Sequence, residues 1–221
     1  MEQYRITMNY LEAKKIMGKN FIGPEELNKI SSKLNLANPL KIKIPKLAYS
    51  ADYLKSVNKN CLLILGIAKT KDGSKFTLNQ LREKMGVNPK ASKPCFYNQD
   101  WYLKEKFAKE KTLTVKWYLI NKSVRAETRG LELKSIKKSL SKNQALPFAL
   151  LAAYVFFAYY FLNKGKKLWV NDFIWCSDKD HNGDQIYVGR YLDPKKINQN
   201  GFNIHRHLTI NKTYGLSPII L

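Results

Sequence analysis

At 221 residues, with 44% hydrophobic and 25% charged side chains, the chain can bury a core without metal or disulfide staples, and general disorder is excluded. Its net charge of +22 comes from 33 Lys and 6 Arg set against 17 acids. Cys61, Cys95 and Cys176 are odd in number and far apart, with no Cys-x-x-Cys, which argues against a disulfide framework or a zinc knuckle and fits reduced thiols in a cytosol.

In chain order, the opening "MEQYRITMNYLEAKK" has no apolar signal-peptide core, so a cytoplasmic location is expected. Asn9 with Glu12 makes a capping-box start for "YLEAKKIM", which Gly18 ends. Gly23-Pro24 then sets Pro at the first position of a helix over "PEELNKISSKL". In "LKIKIPKL", Leu40, Ile42 and Ile44 alternate with Lys41 and Lys43, predicting a strand with one wet, cationic face. Ser50 caps "ADYLKSVNK", and "CLLILGIA" (61–68) is an apolar run of strand length. After the Asp72-Gly73 turn, Thr77 and Gln80 open a helix over "LNQLREKM" that Gly86 closes. Residues 94–111 read as a loop entering a helix, and "LTVKWYLI" (113–120) as a buried strand. "GLELKSIKKSLSK" is amphipathic: Leu133, Ile136 and Leu140 share one side, and Lys134, Lys138 and Lys142 are spaced four apart on another.

"ALPFALLAAYVFFAYYFL" (145–162) is uncharged and reaches the lower edge of a spanning helix. Its three tyrosines, its Pro147 and its two basic flanks favour a buried central helix and no membrane contact. The tail is strand-rich: "FIWCSD", "DQIYVGRYL", "GFNIHRHLTI" and "GLSPIIL". Asp178, Asp180, Asn182 and Gly183 occupy positions one, three, five and six of a calcium loop, but Gly189 stands where the closing Glu is needed and no helices flank it. Asn182-Gly183 between alternating runs predicts a hairpin with a type I′ turn. The expected fold is α+β: a basic region over 1–144 with helices and a small sheet, then the apolar helix and antiparallel hairpins over 145–221, packed as one compact unit.

The charge has two readings. A coding bias would raise Lys together with the 19 Asn, whereas a polyanionic partner would reward cations through counterion release. Residues 172–221 hold four Lys, two Arg and five Asp, a net of +1, so the polyanion surface belongs to residues 1–171, which carry +21. Its candidates are Lys134, Lys138 and Lys142, and the stretch with Trp101, Lys104, Lys106 and Lys109, where aromatics interleaved with cations could stack bases. Scarce Arg argues against sequence-specific base reading.

In "FNIHRHLTI", Phe202, Ile204, Leu208 and Ile210 share one face of a strand, and Asn203, His205, His207 and Thr209 the other, a candidate ligand surface. Arg206 falls on the apolar side and needs a carboxylate or carbonyls there. No metal site or cofactor is assigned, since the spacing fixes no third ligand for a His-x-His pair. Asp100 with Glu132 and Lys134 is the residue set that a magnesium nuclease would use.

The islands "IMGKNFIGPEE", "FYNQDWYLKEKFA" and "WCSDKDHNGDQIYVGRY...GFNIHRH...YGLSP" resemble a group of short, uncharacterised bacterial proteins. The order of the tail is similar to the closing part of C-type-lectin-like domains: Leu146-Pro147 before a helix, Trp175-Cys176-Ser177, the hairpin and "GFNIHRH". Relatives of that fold include the variable proteins of diversity-generating retroelements. The resemblance implies a rigid sheet displaying a variable polar surface. The lectin's disulfides and Glu-Pro-Asn motif are absent, so calcium-dependent sugar binding is not implied. The expectation is therefore a non-catalytic binding protein, with nucleic acid or another polyanion as partner and a protein partner possible at the tail. The alternative is a magnesium-dependent nuclease.

Overall fold

A computed structural model describes residues 8–190, 201–206 and 212–221. The chain opens with α1 (Tyr10–Met17), β1 (Phe21–Ile22) and α2 (Pro24–Leu34), followed by α3 (Ala51–Val57) and β2 (Cys61–Leu65). Then come α4 (Leu78–Met85), α5 (Lys106–Lys109), β3 (Trp117–Asn121) and α6 (Leu133–Ser139). The last part holds β4 (Gln144–Ala145), α7 (Ala149–Leu162), β5 (Phe173–Lys179), β6 (Gln185–Gly189), β7 (Asn203–His205), β8 (Tyr214–Gly215) and β9 (Ile219–Ile220). The class is α+β, with two sheets among the described residues, ordered β1-β2-β3-β9-β4 and β7-β6-β5-β8.

Local chemistry explains the helix starts. The side chains of Asn9, Ser50 and Thr77 accept backbone N–H groups of the first turns of α1, α3 and α4, which would otherwise lack partners. Pro24 begins α2, and Glu26 reaches back to the Gly23 N–H at 3.0 Å. Of the Asn9–Glu12 capping box, the Asn9 half is present: its Oδ1 accepts the Leu11 N–H at 3.0 Å.

Three expectations are corrected. "LKIKIPKL" forms a short 3-10 turn over Pro39–Lys41 and then an extended segment outside both sheets. Ile42 and Ile44 still pack on the core, but Leu40 is 55% exposed. Second, α6 stops at Ser139, where Leu140 turns extended (φ −72°, ψ 127°), so Lys142 lies beyond the helix. Third, β3 begins at Trp117 rather than Leu113.

Helix α7 runs 14 residues, buried on all sides from Ala149 to Ala158, and packs against α2, α4, α5 and the β5–β6 hairpin. Among the described residues no helix is long and apolar enough to cross a membrane. The Tyr154 hydroxyl donates to Leu65 O at 2.9 Å, tying the helix to the end of β2. Gly189 lies where β6 crosses the start of β5: a Cβ there would meet Asp172 O at 2.0 Å. Finally, β9 inserts between β3 and β4, so the tail crosses the seam near residue 144 and completes the first sheet.

Candidate polyanion-binding surface

The acids of the hairpin tip decide how charge is distributed on this side of the molecule. Strands β5 and β6 pair antiparallel, with two extra residues on β5 between Trp175 and Lys179. Gln185 fills that bulge, donating to Cys176 O and to Asp178 O. The turn is not type I′, which needs two residues at positive φ. Asp180 O instead accepts the Gly183 N–H (3.1 Å), and of the turn residues Gly183 alone has positive φ, +89°. Asp180 explains the choice: its Oδ1 accepts the N–H groups of Asn182 (3.0 Å) and Asp184 (2.8 Å), stabilising a turn centred on His181 and Asn182.

Three of the acids in this region, Asp178, Asp180 and Glu105, point inward. Asp178, its side chain 2% exposed, accepts the Ala149 N–H at 2.6 Å on Oδ2 and Lys111 Nζ at 2.5 Å on Oδ1. A carboxylate thus sits at the positive end of α7, where the helix dipole favours it. Lys111 also lies 4.7 Å over the Phe148 ring. Asp180 pairs with Arg206, whose guanidinium stacks 4.4 Å over Trp101, meeting the need for a carboxylate expected of that arginine. Burial pushes the Asp180 carboxyl up, but the Arg206 hydrogen bond and the backbone N–H groups outweigh it, leaving it below its usual range. Glu105 accepts the His181 N–H (3.0 Å), and its Oε1 lies 2.6 Å from His181 Nδ1, while the imidazole itself stays 66% exposed.

The lysine candidates fall into two groups. Ile136 anchors α6, with Leu133 and Leu140 half-buried beside it, and Lys134, Lys137, Lys138 and Lys142 are exposed and make no ion pair with another described residue. Around α5, Lys104, Lys106 and Lys109 are exposed, and Lys109 pairs loosely with Glu110 at 3.5 Å. Between them Tyr102 and Phe107 are buried. Trp101 has Arg206 on its ring and donates its indole N–H to Ile204 O at 3.3 Å. It is occupied within the fold instead of offering a platform for bases.

Half of the candidate ligand surface on the tail strand, Asn203 and His205, falls among the described residues. Asn203 is 2% exposed and donates to Gly201 O at 2.9 Å. His205 packs between aromatics, its ring 5.5 Å from Phe173 and stacked on Tyr187 at 6.0 Å. Burial pulls its pKa down to about 4, so the imidazole is neutral at physiological pH. Asn203 is therefore not displayed, whereas His205 is half-buried at the end of β7. His207 and Thr209 lie outside the described residues.

Asp100 is exposed in the turn before α5, and Glu132 is the exposed residue ahead of α6. No hydrogen bond or ion pair joins them or Lys134, and among the described residues no three His, Cys, Asp or Glu side chains group to hold a metal. The three cysteines are buried, and burial pushes the Cys61 thiol up to about 11 and raises Cys95 and Cys176, which suits packing and not nucleophilic chemistry. Sequence reasoning names Asp178 only as a calcium-loop position and passes over Glu105 and Lys111; the partners of the three are 29 to 76 residues away in the chain. No protein family, curated protein or solved structure matches the chain.

Proposed function

We propose that this protein binds a polyanion, with nucleic acid the favoured partner, through its exposed lysines. The observation that supports this reading is a partition of charge. Glu105, Asp178 and Asp180 are buried and paired, whereas no lysine among the described residues is buried. Drawing acids inward leaves an exterior more cationic than the net charge alone conveys. The α6 segment concentrates it: four lysines within nine residues, three of them on a helix that the buried Ile136 anchors. Affinity comes from counterion release and tolerates any sequence, because Trp101 is engaged and Arg is scarce. For the fold, we retain as a proposal that the tail is C-type-lectin-like, supported by the order of α7, hairpin β5–β6 and β7.

The test is a salt titration of binding to single- and double-stranded oligonucleotides. Lys134, Lys137, Lys138 and Lys142 replaced together by alanine should flatten the plot of log affinity against log salt by roughly 3. Wild-type protein that releases nucleic acid well below physiological ionic strength would overturn the proposal.

A further inference from the structure

The cationic stretch around α5 contains one buried acid. Glu105 lies between the exposed Lys104 and Lys106, yet its own side chain is 9% exposed. A buried carboxylate needs a partner, and Asp178 and Asp180 each have a cation, Lys111 and Arg206. Among the described residues no Lys or Arg pairs with Glu105. Both of its oxygens go to His181 instead. Oε2 accepts the backbone N–H at 3.0 Å, and Oε1 meets the ring at Nδ1, 2.6 Å away.

A carboxylate oxygen only accepts hydrogen bonds, so Nδ1 carries the hydrogen. The unprotonated ring then keeps its lone pair on Nε2. The imidazole is 66% exposed, and among the described residues nothing bonds to Nε2. Both ends of this contact are held. Asp180 closes the turn that carries His181: its Oδ1 accepts the N–H groups of Asn182 and Asp184, and its Oδ2 meets Arg206. Glu105 precedes α5 between the buried Tyr102 and Phe107, and its carbonyl accepts the Ala108 N–H at 3.0 Å. A ring fixed in one tautomer, with its other nitrogen open, is the arrangement that proton abstraction requires.

We propose that the Glu105–His181 pair cleaves RNA, with His181 the catalytic base, Glu105 its positioning residue, and Lys104 and Lys106 holding the phosphates beside it. RNA is the substrate class because a lone base needs a nucleophile, and the 2′-hydroxyl sets one next to each phosphorus. Nε2 takes the 2′-hydroxyl proton as the 2′ oxygen bonds to phosphorus. The P–O5′ bond breaks, a water protonates the departing 5′ oxygen, and the imidazolium returns its proton to the hydroxide left behind. The products are a 2′,3′-cyclic phosphate and a 5′-hydroxyl end. The inference rests on the polyanion reading for the nucleic acid, and deepens it by assigning a reaction. It uses none of the α6 lysines.

The experiment incubates the full chain in EDTA with a labelled RNA oligonucleotide of mixed sequence, and measures binding of the same strand fully 2′-O-methylated. RNA should be cut to ends bearing a cyclic phosphate, and the methylated strand should bind and stay intact. His181→Ala should lower kcat about a hundredfold. Glu105→Gln should cost as much: its oxygen stays on the His181 N–H, so its amide N–H faces Nδ1 and moves the ring hydrogen to Nε2. Both variants should bind the methylated strand within about twofold of wild type, a split between kcat and affinity that a merely structural role of Glu105 would not give. Lys104→Ala with Lys106→Ala should raise KM about tenfold. RNA that is bound and left intact overturns this inference and leaves the polyanion reading standing, whereas failure to bind either strand removes both. Cleavage that persists in His181→Ala, or that extends to the methylated strand, also overturns it.

Discussion

Asp178 joins three parts of the chain through one carboxylate: the bulged strand β5, the first N–H of α7 and the Lys111 ammonium. In sequence it looks like the first ligand of a calcium loop; in the fold it satisfies a helix end that has no side-chain cap of its own, since the residue ahead of α7 is Phe148. A buried carboxylate with two charge-assisted partners is costly to disturb, because removing it strands a buried N–H and leaves a cation facing an apolar ring. Asp178→Ala should therefore destabilise the protein by about 3 kcal/mol, read as a lower urea midpoint at unchanged slope. Asp178→Asn keeps an acceptor for Ala149 and should cost about half as much, because the half-exposed Lys111 can turn to water. Equal losses for the two variants would mean that the charge, and not the helix-end bond, carries the effect.

Among elements, α7 shows how an uncharged eighteen-residue run can serve as a central core helix: its fully buried tyrosine hydroxyl, that of Tyr154, meets a backbone carbonyl. Tyr154 spends its O–H on Leu65 O, so Tyr154→Phe should cost about 1 kcal/mol by chemical denaturation with no change in secondary structure. A rise in stability would show that the hydroxyl's burial costs more than its bond returns. Elements defined by their own ends are legible in the sequence. Asn9, Ser50, Thr77 and Pro24 mark helix starts because a cap acts on the next two or three residues. "LKIKIPKL" is not legible in this way. Its alternation satisfies a strand's period, but a strand also needs a free neighbouring edge, and here Pro45 O accepts the Trp117 indole N–H (3.0 Å) in a segment outside both sheets. The hairpin is legible and its turn type is not, because Asp180 competes for the backbone N–H groups that would define it. Site residues divide in the same manner. Exposed lysines can be read from an amphipathic pattern, whereas Glu105–His181 and Asp178–Ala149 depend on chain segments that meet only after folding.

At the scale of the whole molecule, the composition shift near residue 144 marks a change of element type, not a place where the structure can be cut. The first sheet needs β9, since β4 reaches β3 only through it: Ile219 and Ile220 pair with Ile120 and Leu119 on one side and with Ala145 and Gln144 on the other. The apolar helix α7 likewise fills the space between α2, α4 and α5, and one buried cluster runs from Met8 to Ile220. A fragment of residues 1–144 would expose the faces of those three helices and leave β3 as an unpaired edge, a combination that favours aggregation over folding. Residues 145–221 alone would carry α7 without its partners. Expressed separately, neither fragment should show a cooperative thermal transition, while mixing them should restore part of the native circular dichroism signal. A cooperative melt of the 1–144 fragment by itself would show that the basic region stands alone. The polyanion surface could then be studied, and could act, without the tail.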